Sequence, residues 1–301
     1  MTTPDLAPAT QERSIGDPDV PPDRDLPLDT HLHTDQSPDS RVPIDVYCAA
    51  AVERGIAEIA ITDHVDFDPR DPAYRYVPDD ERERTVRDAA ERWAGLGLTV
   101  RFGAEITYLR RFEDDIRAHL AERRYDFTIG SVHDWPESPY RGGRLGAEFA
   151  DRPIDEIVGP YFEQVVAAAR SSLFDTIGHL DNVKRYLVPR VEPALLDAAP
   201  ELYEPALRAL VESGTGLEIN TSGLRHPVGT TYPPAWTVAR FRELGGARVT
   251  IGSDAHAKEQ FAFGLGRGYR VAAAAGFGEI EVRRATFTNP VRSRAGSAGD
   301  R

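Results

Sequence analysis

Histidine and acidic residues recur at one kind of position along this 301-residue sequence. Six of the eight histidines lie at or just beyond the end of a short apolar segment: His31, His33, His64, His133, His179 and His256. Three acidic residues, Asp63, Glu105 and Asp254, lie at equivalent positions. Imidazole nitrogens and carboxylates suit Zn²⁺, Fe²⁺ or Mn²⁺, and a single cysteine, Cys48, argues against a thiolate zinc site. The residue types therefore predict a divalent-metal centre.

The pair formed by His31 and His33 indicates how such a centre is assembled. On a β-strand, residues i and i+2 face the same side, so both imidazoles can reach one ion. A His-x-His pair is a weak signal alone, because a single strand-end histidine is more often a hydrogen-bonded pocket residue than a ligand. Many imidazoles and carboxylates in one cavity are costly without a cation, since buried charges need partners. We interpret the set as ligands for several ions, with three as the most economical number.

Short β-branched segments alternate with longer segments rich in Ala, Arg, Glu and Leu. The former predict strands at Leu28–His33, Ile56–Thr62, Leu98–Ile106, Phe127–Val132, Thr176–Leu180, Gly216–Asn220 and Arg248–Gly252. The latter predict helices at Ile44–Arg54, Asp80–Ala94, Phe112–Arg123, Tyr161–Ser171, Glu201–Ser213 and Ala235–Leu244. The strand segments are almost continuously apolar, which is typical of parallel strands buried on both faces. Pro160 is expected to open the fourth helix, because a first turn tolerates proline.

Repeated strand–helix units favour an α/β fold. We predict a seven-stranded (β/α) barrel, with an open doubly wound sheet as the alternative that the pattern separates poorly. The first strand lacks the glycine-rich loop of dinucleotide-binding open sheets, which favours the barrel. In a barrel the carboxyl ends of the strands open into one mouth, where active sites are built. Histidines that are distant in sequence would then meet.

Composition and charge limit the function classes. The 36 basic and 49 acidic residues give a net charge of −13, which disfavours nucleic acid or an anionic membrane as the main partner. No segment reaches the roughly 18 apolar residues of a membrane span, and no amino-terminal secretory signal is recognisable. Together with the single cysteine, these features predict a cytoplasmic protein. Cys48 lies in an apolar helical segment, where we expect it to pack.

The sequence divides into one folded unit and two tails. Residues 1–27 hold six prolines and six acidic residues with little apolar content, so we expect a disordered acidic tail. Residues 28–290 contain every predicted strand and helix without a linker-like break. Residues 291–301 are expected to form a flexible carboxyl-terminal tail.

Six motifs in a fixed order resemble those of the polymerase and histidinol phosphatase (PHP) superfamily. They are Asp29-Thr30-His31-Leu32-His33-Thr34, Thr62-Asp63-His64, Gly103-Ala104-Glu105, Gly130-Ser131-Val132-His133, Gly178-His179-Leu180-Asp181 and Gly252-Ser253-Asp254-Ala255-His256. The segment from Glu218 to Arg225 is similar to the histidinol-phosphatase branch. The resemblance covers residues 28–290 and implies a distorted seven-stranded (β/α) barrel that binds three divalent ions, Zn, Mn or Fe.

The resemblance also implies a place for each ligand. His31, His33, Glu105 and Asp254 would hold the first ion. Glu105 would bridge to a second ion on His133 and His179. The third would take His64, His256 and Asp39, a position at which many members of the family have histidine.

The activity that the resemblance implies is hydrolysis of L-histidinol phosphate, a small phosphorylated substrate, to L-histidinol and phosphate. Divalent ions lower the pKa of a water molecule and neutralise the phosphoryl oxygens. Arg225 and Arg185 match the phosphate-binding arginines of the family, although Arg185 fits an ordinary surface arginine equally well. His226 is a candidate for substrate contact or a simple loop residue. Either Asp254 or a metal-bound water would protonate the departing oxygen.

Substrate selectivity is expected to come from the loops. The segment Asp134–Pro153 has the aromatic and glycine content of a mobile lid over the mouth. Histidinol carries an amine and an imidazole, so acidic or aromatic contacts are needed. The candidates are Asp66, Asp68, Trp135 and Glu137.

Three other functions remain open from the sequence. The nearest is a PHP phosphatase or phosphodiesterase that acts on nucleotides or another small phosphoester. A metal-dependent amidohydrolase also begins with His-x-His, but it needs a bridging lysine, and the only lysines, Lys184 and Lys258, lie elsewhere. A non-catalytic metal-dependent binding module would carry the same ligands without turnover.

Overall fold

The computed structural model describes residues 22–133, 138–141, 144–149, 151–188, 190–282 and 285–288. Its strands are β1 (Leu28–Leu32), β2 (Glu58–Ile61), β3 (His64–Val65), β4 (Thr99–Thr107), β5 (Phe127–Ser131), β6 (Tyr140–Arg141), β7 (Arg144–Leu145), β8 (Thr176–Ile177), β9 (Gly216–Asn220), β10 (Val249–Gly252), β11 (Glu279–Val282) and β12 (Ala285–Thr288). Each of the seven predicted strands has its counterpart among them.

Helices connect most of these strands. They are α1 (Ile44–Arg54), α2 (Asp79–Ala94), α3 (Glu113–Glu122), α4 (Ile154–Ser171), α5 (Lys184–Leu187), α6 (Ala194–Asp197), α7 (Pro200–Ser213), α8 (Ala235–Glu243) and α9 (Leu265–Ala274). Short 3₁₀ helices cover Arg110–Phe112, Ala147–Phe149, Ser222–Arg225 and Lys258–Gln260.

The main sheet is parallel and almost closed on itself. Its strands follow the order β1-β2-β4-β5-β8-β9-β10, and the short β3 pairs with the end of β4. The first and last strands meet at a bridge between Leu32 and Ala255, where the amide of His33 donates to the carbonyl of Ala255 at 3.0 Å. The predicted seven-stranded (β/α) barrel is thereby confirmed. Two small antiparallel pairs, β6–β7 and β11–β12, lie outside the main sheet.

Burial explains why these segments form the sheet. Every residue of β1, β2, β5 and β9 is buried, as the continuous apolar pattern predicts for parallel strands covered on both faces. Helix α1 packs beside β2 and ends where Gly55 adopts a left-handed φ of 69°. Cys48 is fully buried in this helix, which confirms its packing role.

Two predicted boundaries differ from the structure by more than two residues. Helix α4 begins at Ile154 instead of Tyr161, so Pro160 lies inside the helix and does not open it. Pro153 directly precedes the helix, and Asp155 in the first turn complements the helix dipole. Strand β8 stops at Ile177 instead of Leu180, because the chain turns into a left-handed conformation at His179.

One helix near the carboxyl terminus was not predicted. Helix α9 contains Gly266 and Gly268, which lower helix propensity and hide the helical pattern. Both glycines are buried, and a Cβ atom at Gly268 would meet Ile251 of β10 at 2.7 Å. The helix therefore needs small residues to pack closely on the sheet.

The predicted amino-terminal tail has an ordered end. Residues 1–21 lie outside the described residues, as do residues 291–301 of the predicted carboxyl-terminal tail. The carboxylate of Asp23 accepts hydrogen bonds from the amides of Gly264 and Gly266 at 2.7 and 2.8 Å. Leu26 is buried in the core. Residues 22–27 therefore belong to the folded unit, which corrects the predicted boundary at residue 27.

Among the described residues, no helix combines the length and the apolar character needed to cross a membrane.

Candidate metal centre

The carboxyl ends of the barrel strands carry the predicted donors. The chain places them as follows: His31 in β1, His33 after it, His64 at the start of β3, Glu105 in β4, His133 after β5, His179 after β8, and Asp254 and His256 after β10. Because the strands are parallel, all these ends lie at one edge of the sheet. Asp39, in the loop between β1 and α1, reaches the same edge.

Glu105 lies at the middle of the donors and is buried. Its Oε2 lies 3.4 Å from His31 Nε2, 3.3 Å from His33 Nε2 and 3.0 Å from His64 Nδ1. Its Oε1 lies 3.1 Å from His133 Nε2 and 2.8 Å from His179 Nε2. One carboxylate is thus shared by five imidazoles, and its two oxygens divide them into two groups.

Asp254 and Asp39 face further imidazoles. Oδ1 of Asp254 lies 3.8 Å from His31 Nε2, 3.5 Å from His33 Nε2 and 3.4 Å from His256 Nδ1. Oδ2 of Asp39 lies 3.3 Å from His64 Nε2 and 3.2 Å from His256 Nε2. All nine predicted metal ligands therefore meet in one cluster, which we call the metal centre.

The chemistry of these donors fits divalent cations. Nε2 of His31, Nε2 of His33 and Nδ1 of His179 are buried and lack a hydrogen-bond partner among the described residues. Four sets of three donors lie within 4.8 Å of one another: His33, His64 and His256; His31, His179 and Asp254; His31, His33 and Glu105; and His64, Glu105 and His133. A cation would satisfy Nε2 of His31 and of His33 and offset the buried carboxylates.

The electrostatics of the cluster also favour the binding of a cation. Burial favours a neutral Glu105, but His31, His133 and His64 hold its pKa well below the usual range. Burial likewise opposes charge on His64, yet Glu105 and Asp39 raise its pKa to about 10. The carboxylates thus create a negative potential that attracts positive charge, and protons and metal ions compete for it.

A buried Glu–Asn pair orients the first donors. Glu218 in β9 accepts from His31 Nδ1 at 2.7 Å and from the amide of His179 at 2.8 Å. Nδ2 of Asn220 donates to Glu218 at 3.0 Å and to Asp254 at 3.3 Å. These contacts fix ring and carboxylate orientation, which is how outer residues tune metal sites. The orienting role of Glu218 is not predicted from the sequence, although a charged residue between Leu217 and Ile219 in a buried strand signals a buried partner.

Two further carboxylates hold the loops beneath the donors. Asp63 accepts from the amide and hydroxyl of Thr34 at 2.6 and 2.8 Å and from the Ser37 hydroxyl at 2.8 Å. Asp29 accepts from the amide and hydroxyl of Ser253 at 2.8 and 2.6 Å. Asp63, which the sequence places among the strand-end acids, therefore positions the loop after β1 and does not face the cluster directly.

Two of the donors have a strained backbone conformation. His179 and Asp254 adopt positive φ angles of 20° and 54°, conformations that cost about 1–3 kcal/mol each for residues other than glycine. Arg225 supports the second of them, because its guanidinium donates to the carbonyls of Ser253 and Asp254 at 2.8 and 2.9 Å. The structure therefore gives Arg225 a contact with the Asp254 loop, and its predicted phosphate contact stays a prediction.

Comparisons with known proteins agree with this geometry. The family profile described as the PHP domain matches residues 29–222. The chain belongs to the PHP family. A probable histidinol-phosphatase of Deinococcus radiodurans is 31% identical over 239 residues, which cover 78% of this chain and 88% of that protein. The histidinol-phosphatase of Lactococcus lactis is 27% identical over 270 residues, with 87% of this chain and 94% of that protein covered.

Solved structures place the fold in the same PHP family. The histidinol phosphate phosphatase from Lactococcus lactis, complexed with zinc, L-histidinol and phosphate, superposes with a TM-score of 0.73 and 25% identity, over 88% of this chain and 97% of that one. A putative histidinol phosphatase from Listeria monocytogenes has the same fold, with a TM-score of 0.66 and 21% identity over 80% and 99% of the two chains.

The metal centre opens into a cavity of about 380 Å³. Arg185, at the start of α5, lines this cavity, as its predicted phosphate contact requires. His226 lies in the loop after Arg225, where its Nδ1 is 3.2 Å from the hydroxyl of Tyr232. Burial and the charges of Arg185 and Arg225 lower the pKa of His226 to about 4. His226 is therefore a neutral imidazole beside the two arginines near pH 7.

The predicted substrate loops are only partly described. Trp135 and Glu137 lie outside the described residues, so the proposed lid over the mouth stays a prediction. Asp66 is buried and accepts from the amide of Asp68 at 2.7 Å. The Asp68 carboxylate binds Arg70 at 2.7 Å and also contacts Arg111. Neither acid lines the cavity, and both already have partners.

The two lysines are not metal ligands in this PHP chain. Lys184 is fully buried, with its ammonium 2.8 Å from Asp181 and in contact with Asp197. The Tyr203 hydroxyl donates to Asp181 at 2.8 Å. We call these four residues the lysine cluster. Lys258 is exposed. The bridging lysine of an amidohydrolase therefore has no counterpart here, in agreement with the family assignment.

Proposed function

We propose that this chain hydrolyses L-histidinol phosphate to L-histidinol and inorganic phosphate, with three bound divalent metal ions. The observation that supports this most is the meeting of nine histidine and carboxylate donors in the metal centre, seven of which line one cavity. The chain is also similar over 88% of its length to an enzyme that was crystallised with zinc, L-histidinol and phosphate. We assign the activity to the predicted folded unit, residues 28–290, together with residues 22–27 that pack on it.

The contacts support one grouping of the ligands. Nε2 of His31 and of His33 would share the first ion with Oε2 of Glu105 and Oδ1 of Asp254. Nε2 of His133 and of His179 would share the second with Oε1 of Glu105. Nε2 of His64 and of His256 would share the third with Oδ2 of Asp39. A carboxylate is a competent ligand at this last position.

The reaction needs a nucleophile, a phosphate clamp and a proton path. Bound ions activate water and neutralise the phosphoryl oxygens. Arg185 would hold a phosphoryl oxygen, because a guanidinium suits phosphate geometry. Asp254 would enter the reaction ionised, because a carboxylate that binds a cation is held in its charged form. Asp254 would take a proton from the attacking water and return it to the departing alkoxide, which leaves as the alcohol.

Arg225 and Glu218 would position the groups that bind metal ions and move the proton. Arg225 would act through Asp254, whose backbone carbonyl it binds. Glu218 would keep the Nε2 of His31 directed at the metal centre by accepting from Nδ1 of the same ring. His226 is not among the residues that line the cavity, so its predicted substrate contact stays a prediction.

The test is phosphate release by protein loaded with zinc or manganese. L-Histidinol phosphate is compared with p-nitrophenyl phosphate, AMP and a dinucleotide phosphodiester at equal ionic strength. We expect kcat/KM for L-histidinol phosphate to exceed the others by about a hundredfold or more. Turnover of AMP or the diester without turnover of L-histidinol phosphate would instead support the nucleotide-directed alternative. No turnover of any ester by fully loaded protein would favour the non-catalytic binding module.

A further inference from the structure

The cavity over the metal centre has two charged side chains besides the metal donors, among the residues that the structure describes. They are Arg185 in α5 and Asp71 in the loop between β3 and α2. Tyr186 and Asn182, also in the lining, are uncharged. A ligand in this cavity therefore meets a cation and an anion that come from two different elements.

The loop holds Asp71 in a defined turn. Its amide donates to the carbonyl of Asp68 at 2.9 Å, and its carbonyl accepts from the amide of Tyr74 at 3.1 Å. Oδ1 of the side chain accepts from the amide of Ala73 at 2.7 Å. Oδ2 has no hydrogen bond among the described residues, so one carboxylate oxygen remains available at the cavity wall.

The other acids of this loop cannot take the same role. Asp68 is neutralised by Arg70 and Arg111, and Asp66 is buried against the backbone of Asp68. Neither of them lines the cavity. A ligand with a positive group would therefore find its partner at Asp71.

We infer that Asp71 binds the ammonium group of the substrate and makes the site selective for phosphomonoesters that carry an amine. The phosphoryl group would face the metal centre and Arg185, while the ammonium would face Asp71 across the cavity. A charge-assisted hydrogen bond of this kind acts on ground-state binding, because the ammonium takes no part in phosphoryl transfer. This inference rests on the proposed phosphatase activity and adds the residue that binds the ammonium group.

The experiment compares the variant Asp71→Asn with the wild type. Asparagine keeps an oxygen that can accept from the amide of Ala73, so the turn is retained while the charge is lost. The substrates are L-histidinol phosphate and its desamino analogue. We expect KM for L-histidinol phosphate to rise about tenfold with kcat nearly unchanged. Both constants for the desamino analogue should stay at their wild-type values.

Asp68→Asn is the matched control, because it removes the same charge from the same loop outside the cavity. It should leave the ratio of kcat/KM between the two substrates unchanged. The inference is overturned if Asp71→Asn keeps the wild-type ratio, or if Asp68→Asn reduces the ratio as much. It is also overturned if Asp71→Asn loses activity equally on both substrates.

Failure of the proposed function gives a different result. In that case the wild type would not hydrolyse L-histidinol phosphate but would hydrolyse p-nitrophenyl phosphate. The comparison is then made with phosphoethanolamine and ethyl phosphate. A wild-type preference for phosphoethanolamine that Asp71→Asn abolishes supports the inference about Asp71 by itself, and the absence of a preference overturns it.

Discussion

Two buried polar clusters lie in this molecule and differ in how their charges are balanced. In the lysine cluster, the ammonium of Lys184 lies between Asp181 and Asp197, and Tyr203 adds a hydrogen bond. In the metal centre, three carboxylates, those of Glu105, Asp254 and Asp39, face imidazoles. Three of the buried imidazole nitrogens lack a hydrogen-bond partner among the described residues. One cluster contains a lysine, which is a permanent cation, and the other contains imidazoles, which bind either a proton or a metal ion.

The difference separates a structural role from a functional one. A buried ion pair with its cation in place has its charges balanced within the fold, so it needs no ligand, and removal of one partner is destabilising. A buried set of acids that face imidazoles needs positive charge from protons or from a metal ion. Histidines and acids at strand ends predict the metal centre from the sequence. The pairing of Lys184 with two aspartates is seen only in the contacts.

The largest effect should follow from Glu105→Gln, which removes the charge shared by five imidazoles. We expect the metal-loaded variant to lose phosphatase activity about a thousandfold or more, equal to at least about 4 kcal/mol. Phosphate release and elemental analysis measure the loss of rate and of metal together. Glu201→Gln, at an exposed position in α7, should retain both. Wild-type rate with full metal content in Glu105→Gln would contradict the role of the metal centre.

The next largest effect should be a loss of stability when the lysine cluster loses its cation. Lys184→Met leaves two aspartates without their cation, so the free energy of unfolding should fall by about 3 kcal/mol. Urea denaturation of the metal-loaded protein measures this change. Lys258→Met makes the same substitution at an exposed site and should change stability by less than about 0.5 kcal/mol. Equal free energies of unfolding in the two variants would show that Lys184 does not stabilise the fold.

A smaller effect should distinguish two buried glutamates. Glu218→Gln weakens the acceptor that orients His31, so metal affinity should fall about 10–100-fold. Glu58 is the matched control, because it is buried at the start of β2, far along the strand from the donors, and pairs with Arg101. Glu58→Gln should lower stability without changing affinity in a metal-buffered titration. Equal affinity in both variants would show that Glu218 does not position the ligand.

The smallest effects should come from two tyrosine hydroxyls. Tyr203→Phe removes a hydrogen bond to Asp181, and Tyr47→Phe removes one of 3.0 Å to the carbonyl of Ala255, between two metal donors. Each should lower the unfolding free energy by about 1 kcal/mol. Only Tyr47→Phe should also change metal affinity. A change of affinity in Tyr203→Phe would mean that the two clusters are coupled.

The sequence predicts much of the site because parallel strands impose a common edge. Once the strands are recognised, His31, Glu105 and His179 must meet, whatever their separation along the chain. Asp39 was predicted from the resemblance alone, and its contacts with His64 and His256 agree with that prediction.

Other features depend on contacts that no local pattern encodes. The role of Glu218 follows from the neighbouring strand, and the two bonds of Arg225 to backbone carbonyls follow from the path of the loop after β10. The acids of the loop after β3 look equivalent in sequence. Their different roles depend on which carboxylates Arg70 and Arg111 occupy.

The sharing of Glu105 has a consequence for how metal occupancy responds to supply. Since its two oxygens serve neighbouring groups of ligands, removal of one of the proposed ions would leave the others with less cation repulsion and more of the carboxylate charge. The remaining ions should therefore be held more tightly, and partial depletion should yield molecules that keep some of their metal more than a mixture of complete and empty ones. Under scarcity, most molecules would lose rate before they lost all of their metal.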